Sequence, residues 1–256
     1  MKLILSIVLL LNICFCFAQD KNDFSIEFNV NGAHYDMQSA NYIFNGDYFV
    51  VMDSPQNEGT IQSLDYGLDY NFGFSYQPFK VIDFGAYASF QNSTLKRSFL
   101  YEDYNMNLLK GDTRAAIKAF SFGLSSNLYL NKLFHFDEMT NSFFNKMRIS
   151  LGVKGGIGFS SFEEQVAIQD FNIDYRNVQY NVTNFNGRME VAIGYPIVNN
   201  SLFSNIGFKF GYQFFKTSTL KNFAGLTLSP SNDVNSEMNL DFSGIFYGIY
   251  LNIGKH

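Results

Sequence analysis

From Leu64 to Tyr76 the chain reads Leu-Asp-Tyr-Gly-Leu-Asp-Tyr-Asn-Phe-Gly-Phe-Ser-Tyr. Leu64, Tyr66, Leu68, Tyr70, Phe72, Phe74 and Tyr76 are large and apolar or aromatic, and every residue between them is small, polar or charged. Successive side chains of a β-strand leave opposite faces, so the run is a strand with one apolar and one polar face. Globular strands average roughly 5–6 residues, whereas a tilted strand that crosses a bilayer needs about 9–11. This strand has the second length.

The same alternation predicts strands at 24–31, 64–76, 82–91, 117–130, 147–160, 184–195, 205–215 and 239–253. In the last, the apolar phase slips. Leu240 and Phe242 keep one parity, while Ile245, Tyr247, Ile249, Leu251 and Ile253 keep the other, and a β-bulge at Ser243-Gly244 would reconcile them. The connections 32–62, 92–116, 161–183 and 216–238 are long, 77–81 and 196–204 are short, and 131–146 is intermediate. Pro55, Pro78, Pro196 and Pro230 all fall in connections, as residues with no N–H to give a ladder should. Asn45-Gly46 between apolar flanks is a hairpin signal, and 171–182 alternates in part, so some strands should continue beyond the bilayer as hairpins. An even strand number with short turns at one end and long loops at the other predicts an all-β fold. It is a transmembrane antiparallel up-and-down β-barrel of eight strands with four long extracellular loops. Alternation alone also fits a soluble barrel with an apolar inside; strand length and loop alternation select the membrane.

Lys2, the apolar run 3–11 and Cys16-Phe17-Ala18 have the order of a secretory signal peptide. Residues 1–18 are expected to be cleaved, leaving 19–256 as the barrel. Cys14 and Cys16 leave with the signal, so no disulfide or thiolate metal site is expected. The formal net charge of −5 falls by one more when Lys2 is lost, and no basic patch points to nucleic acid. His34, His135 and His256 have no metal-ligand spacing, and no hydrolase or metalloprotease motif is present. The acids Glu163, Glu164, Asp170 and Asp174 read as a solvated loop rather than a calcium site. No catalytic residue, cofactor or metal is predicted. Lys154-Gly155-Gly156-Ile157-Gly158 lies mid-strand, where small lumen residues make room for neighbours.

The polar face is where charge collects. Glu27, Asp65, Asp69 and Asp83 lie on the first three strands; Arg148, Lys154, Arg188 and Lys209 lie on the fifth to seventh, with Glu190 among them. Eight strands enclose a bore just wide enough for side chains to fill, and charges buried unpaired are costly. The two walls should therefore pair into an ionic plug, with Asp69 and Arg148 as a first trial pair. On the lipid face Phe72 and Phe208 should reject arginine, whereas Asn71 and Gly207 on the lumen face should accept serine.

Over residues 19–256 the chain resembles the small outer-membrane β-barrel proteins of Gram-negative bacteria, the OmpA/OmpX-like and "porin family" barrels. The resemblance is carried by the signal ending Cys16-Phe17-Ala18, by strands such as 64–76 and 205–215, and by the closing Asp241-Phe-Ser-Gly-Ile-Phe-Tyr-Gly-Ile-Tyr-Leu-Asn-Ile253. It implies an outer-membrane location in contact with outer-membrane lipid. It also implies a non-enzymatic role, with extracellular loops that bind or scaffold an extracellular or envelope protein, or a part in envelope integrity. The same family admits a passive or selective channel, a lipid-modifying enzyme and a subunit of secretion machinery.

Overall fold

The computed structural model describes residues 23–42, 56–58, 63–102, 108–136, 142–168, 173–197, 203–222 and 239–254. The signal segment, the Asn45-Gly46 turn, Pro55 and Pro230 lie outside the described residues. Eight strands make the wall: β1 (Asp23–His34), β2 (Tyr66–Phe79), β3 (Ile82–Glu102), β4 (Leu108–Tyr129), β5 (Arg148–Ile168), β6 (Ile173–Pro196), β7 (Phe203–Phe214) and β8 (Gly244–Gly254). Each pairs antiparallel with the next, and β8 pairs with β1 from Ser25↔Gly254 to Ala33↔Phe246, so the ladder closes and the barrel has no free edge. Closure lets every backbone donor and acceptor in the wall meet a neighbour, which a bilayer demands.

The long connections resolve into two kinds. Residues 92–116 and 161–183 are largely strand: β3 and β4 stay paired from Ile82↔Leu128 out to Glu102↔Leu108. β5 and β6 stay paired out to Ile168↔Ile173, and β4 and β5 to Gly111↔Ile168. The other two long connections add short strands to this sheet, Gln56–Glu58 on β3 and Lys221–Asn222 on β6. Two prolines depart from expectation. Pro78 sits inside the end of β2, where the register shifts between Tyr76 and Phe79, and Pro196 closes β6. Both occupy positions where a missing N–H breaks little of the ladder.

Within the wall the faces divide as the alternation requires. Tyr70, Phe90, Phe120, Phe122, Leu124, Met189, Phe208 and Ile249 are exposed on the outside. Cross-strand rings reinforce that side, with Phe28 on Phe72 at 5.2 Å and Phe122 on Phe159 at 6.1 Å. The outward apolar band runs from Ile82 to Phe90 on β3 and from Ile206 to Phe214 on β7, which are bilayer-crossing lengths.

Beyond the band the two faces exchange polarity while side-chain parity continues. On β3 the outward residues become Asn92, Thr94 and Lys96, and the inward ones become Ser93 and then Leu95, 3% exposed. Leu95, Ala115, Ile117 and Phe162 point inward and form a buried apolar cluster with Tyr35, Met37, Leu64, Phe215, Leu220, Leu240, Phe242 and Phe246. Outside, the ion pairs Lys118–Glu163 (2.8 Å) and Lys216–Asp241 (3.1 Å) replace the apolar band.

This exchange explains the slip before β8 and removes the expected bulge. Lys216↔Asp241 and Gly244↔Gln213 share one register, so Leu240, Phe242, Phe246 and Tyr250 face inward without interruption. The polarity changes because the chain leaves the bilayer there. Gly244 itself is needed at the start of β8, with φ +154° and the His34 carbonyl where a Cβ would stand.

Candidate functional site

The bore is built in layers that climb two residues at a time, about 6.6–7 Å per step along a strand. In the lowest layer of paired charges, Lys209 Nζ donates to Glu27 Oε1 at 2.6 Å and to Glu190 Oε1 at 2.8 Å. Lys154 Nζ lies 3.1 Å from Glu190 and 3.6 Å from Glu27, and the Asn29 amide donates to Glu27 at 3.1 Å. Two acids and two bases from β1, β5, β6 and β7 thus cancel in one buried cluster. Their ammonium groups also stand over inward rings, Lys154 at 5.8 Å from Tyr87 and Lys209 at 5.2 Å from Tyr250.

One layer up, Arg188 crosses the bore to Asp69 with two parallel bonds, Nη1 to Oδ2 and Nη2 to Oδ1, both 2.9 Å. Asn31 and Asn71 donate to Asp69 Oδ2 at 2.9 and 2.7 Å, while Asn71 Oδ1 and Ser89 Oγ accept from the guanidinium at 3.0 and 3.2 Å. The Arg188 and Asp69 side chains are 0% and 1% exposed. A pair removed from water this fully depends on good geometry and on its remaining hydrogen bonds. Both terminal nitrogens of Arg188 are engaged, while Arg188 Nε and Asn31 Oδ1 are buried without a hydrogen-bond partner. Above it, the Gln91 and Gln213 amides exchange bonds of 2.5 and 3.1 Å. The apolar cluster closes the extracellular end, with Phe215 stacked on Phe242 at 5.3 Å and Tyr35 edge-on to Phe242 at 5.3 Å. Burial pushes the Tyr35 phenol above its usual range.

Asp65 stays outside this network. Because β2 begins at Tyr66, its half-buried carboxylate takes the Asn41 amide at 2.6 Å and the Ser63 hydroxyl, tying the first long connection to the rim. Asp69 selects Arg188 rather than Arg148. Asp83 sits at the periplasmic mouth, accepting the Asn127 N–H at 2.8 Å and the Tyr129 hydroxyl at 2.7 Å. Arg148 lines the same mouth, where Glu27, Asp83, Lys154 and Tyr250 also border a cavity of about 30 Å³.

Sequence reasoning missed the glutamine pair, the inward rings and the apolar closure. The glycines are their trace. A Cβ on Gly207 would stand 2.6 Å from the Tyr250 ring, one on Gly211 2.6 Å from the Phe246 ring, and one on Gly158 inside contact of Phe215. Tyr250 and Phe246 of β8 lie over glycines of the neighbouring strand β7, and Phe215, just past β7, lies over Gly158 of β5, two strands away. His34 is exposed at the rim, edge-on to Tyr66 at 4.9 Å, and His135 lies in a turn with φ +56°. His256 is outside the described residues. Glu163 is engaged with Lys118, and no group of three or more metal-ligating side chains occurs among the described residues.

A closed eight-stranded wall with an apolar outside and a charged, filled inside has one physical habitat. The fold is that of a small outer-membrane β-barrel. No family model matches the sequence, and no curated protein matches it either. Among solved structures it is similar to Ail, the attachment invasion locus protein of Yersinia pestis, in complex with the heparin analogue sucrose octasulfate. That likeness has 12% identity over 92% of this chain and 98% of the other, with a TM-score of 0.34. Neisserial surface protein A matches at 9% identity over 89% and 96%, TM-score 0.36. A major outer membrane protein from Thermus thermophilus matches at 9% over 91% and 100%, TM-score 0.40. Likeness at this level carries none of their properties to this barrel.

Proposed function

We propose that this protein is a closed, non-enzymatic barrel of the bacterial outer membrane. Its filled bore stiffens a platform of extracellular strands that binds or scaffolds a protein at the cell surface or in the envelope. The observation that carries this reading is the mutual engagement of Glu27, Asp69, Lys154, Arg188, Glu190 and Lys209 beneath the apolar closure. Charges that pair with one another across the bore leave no lined path for a solute. The continuous pairing of β3, β4, β5 and β6 past the apolar band supports a stiff platform rather than separate loops. Export by way of a cleaved 1–18 segment belongs to the same proposal. Purified protein in planar bilayers should carry no steady current; a steady multi-level current overturns closure. Cell fractionation should place the chain, starting at Gln19 by mass spectrometry, with the outer membrane.

A further inference from the structure

The connection between β4 and β5 does not fit a periplasmic turn. Residues 130–147 read Leu-Asn-Lys-Leu-Phe-His-Phe-Asp-Glu-Met-Thr-Asn-Ser-Phe-Phe-Asn-Lys-Met, with phenylalanine at 134, 136, 143 and 144. A turn that only had to cross water between two strands would be short and polar. Instead it forms two helical turns, Leu130–Leu133 and Ser142–Lys146, and leaves Phe134 60% and Phe143 56% exposed.

These side chains continue the lipid-facing wall. Phe143 stacks on Tyr195 at 5.6 Å and 27°, and Tyr195 is an outward residue at the end of β6. Phe134 packs against Phe136 at 5.9 Å. Phe79, at the neighbouring short turn, is exposed at the same end of the barrel. The turns are held firmly to the rim: Asn131 is buried and its Oδ1 accepts the Ile149 N–H, and Lys132 reaches back over the Tyr129 ring at 5.4 Å. An apolar surface that is fixed in place, contiguous with the lipid band and edged by the exposed Lys146 has the make-up of an interfacial anchor, apolar below and charged at the water line.

We propose that residues 130–136 and 142–147 lie in the headgroup region of the periplasmic leaflet and insert Phe134 and Phe143 as an anchor fixing the barrel's depth. The occupant of this surface is phospholipid. The inference rests on the membrane reading above, and its test separates the two. The chain contains no tryptophan, so Phe134→Trp, Phe143→Trp and, as a mid-wall control, Leu124→Trp each introduce a single fluorophore. The full protein is reconstituted in phosphatidylcholine vesicles with bromines near the headgroup or deep in the acyl chains. Leu124→Trp should be quenched most by deep bromines; failure of that control overturns the membrane reading itself. With the control in order, Phe134→Trp and Phe143→Trp should emit to the blue of water-exposed tryptophan and be quenched more by shallow than by deep bromines. Red-shifted emission that iodide quenches and bromolipid does not would overturn the anchor. Blue emission that vanishes on diluting protein into excess lipid would also overturn it, since a second copy would then cover the surface.

Discussion

Arg188 brings its whole charge into the bore and meets Asp69 through both terminal nitrogens. Removing either partner strands the other, so Arg188→Ala or Asp69→Ala should each cost about 3–5 kcal/mol. The double variant should cost clearly less than the sum. Urea unfolding in lipid vesicles checks this, and additive effects would mean that the pair is not coupled. The facing wall revises a sequence-level expectation. Gly207 should not accept serine, because a Cβ there meets the Gly194 Cα at 2.6 Å and the Tyr250 ring at 2.6 Å. Asn71→Ser should also be felt, through the two bonds Asn71 makes to Asp69 and Arg188. Phe208, 73% exposed, keeps its expected role, and Phe208→Arg should destabilise by ~2–4 kcal/mol at mid-bilayer. Loss of heat-modifiable gel mobility should therefore appear in both Gly207→Ser and Phe208→Arg.

Along a single strand, parity is legible in the sequence and polarity is not. The alternation assigns Phe90, Phe122 and Phe208 to the lipid face, because in the bilayer outward and apolar coincide. Above it the coincidence reverses. Leu95 shares the parity of Asp83 and Phe162 that of Lys154, so a rule that equates apolar with outward fails at the membrane surface. The same reversal shows in the sequence as a slip before Ile245 and imitates a bulge, which the shared register of Lys216↔Asp241 and Gly244↔Gln213 excludes. Which acid meets which base is equally hidden, because walls can be read from strand order but heights depend on register. Asp69 therefore finds Arg188 instead of Arg148. The boundary can be mapped on β3. The sequence's cysteines are Cys14 and Cys16 alone, both in the expected signal, so Phe90→Cys, Thr94→Cys, Leu95→Cys and Lys96→Cys each give one thiol. A membrane-impermeant maleimide on whole cells should label Thr94→Cys and Lys96→Cys. It should spare Phe90→Cys in lipid and Leu95→Cys in the apolar cluster. Labelling of Leu95→Cys together with Thr94→Cys would mean that the upper barrel is open to water.

For the molecule as a whole, closure comes from several seals stacked along one axis. The four-charge cluster of Glu27, Lys154, Glu190 and Lys209 lies lowest, followed by the Asp69–Arg188 layer, the Gln91–Gln213 pair and the apolar closure around Phe215 and Phe242. Resistances in series add, so the tightest remaining layer sets the current. Opening one layer should leave the barrel silent. Asp69→Ala with Arg188→Ala removes a neutral pair without stranding a charge, but ions then still meet the cluster below and a dry apolar layer above. Phe215→Ala with Phe242→Ala thins that dry layer, yet the fixed ion pairs beneath it persist. Planar-bilayer recordings on each double variant should show no steady current, and the fourfold variant, which keeps the four-charge cluster and the glutamine pair, should stay silent as well. If either double variant alone carried a steady current, that layer would be the gate of a channel and the remaining layers would be permeable, contrary to a bore sealed along its length.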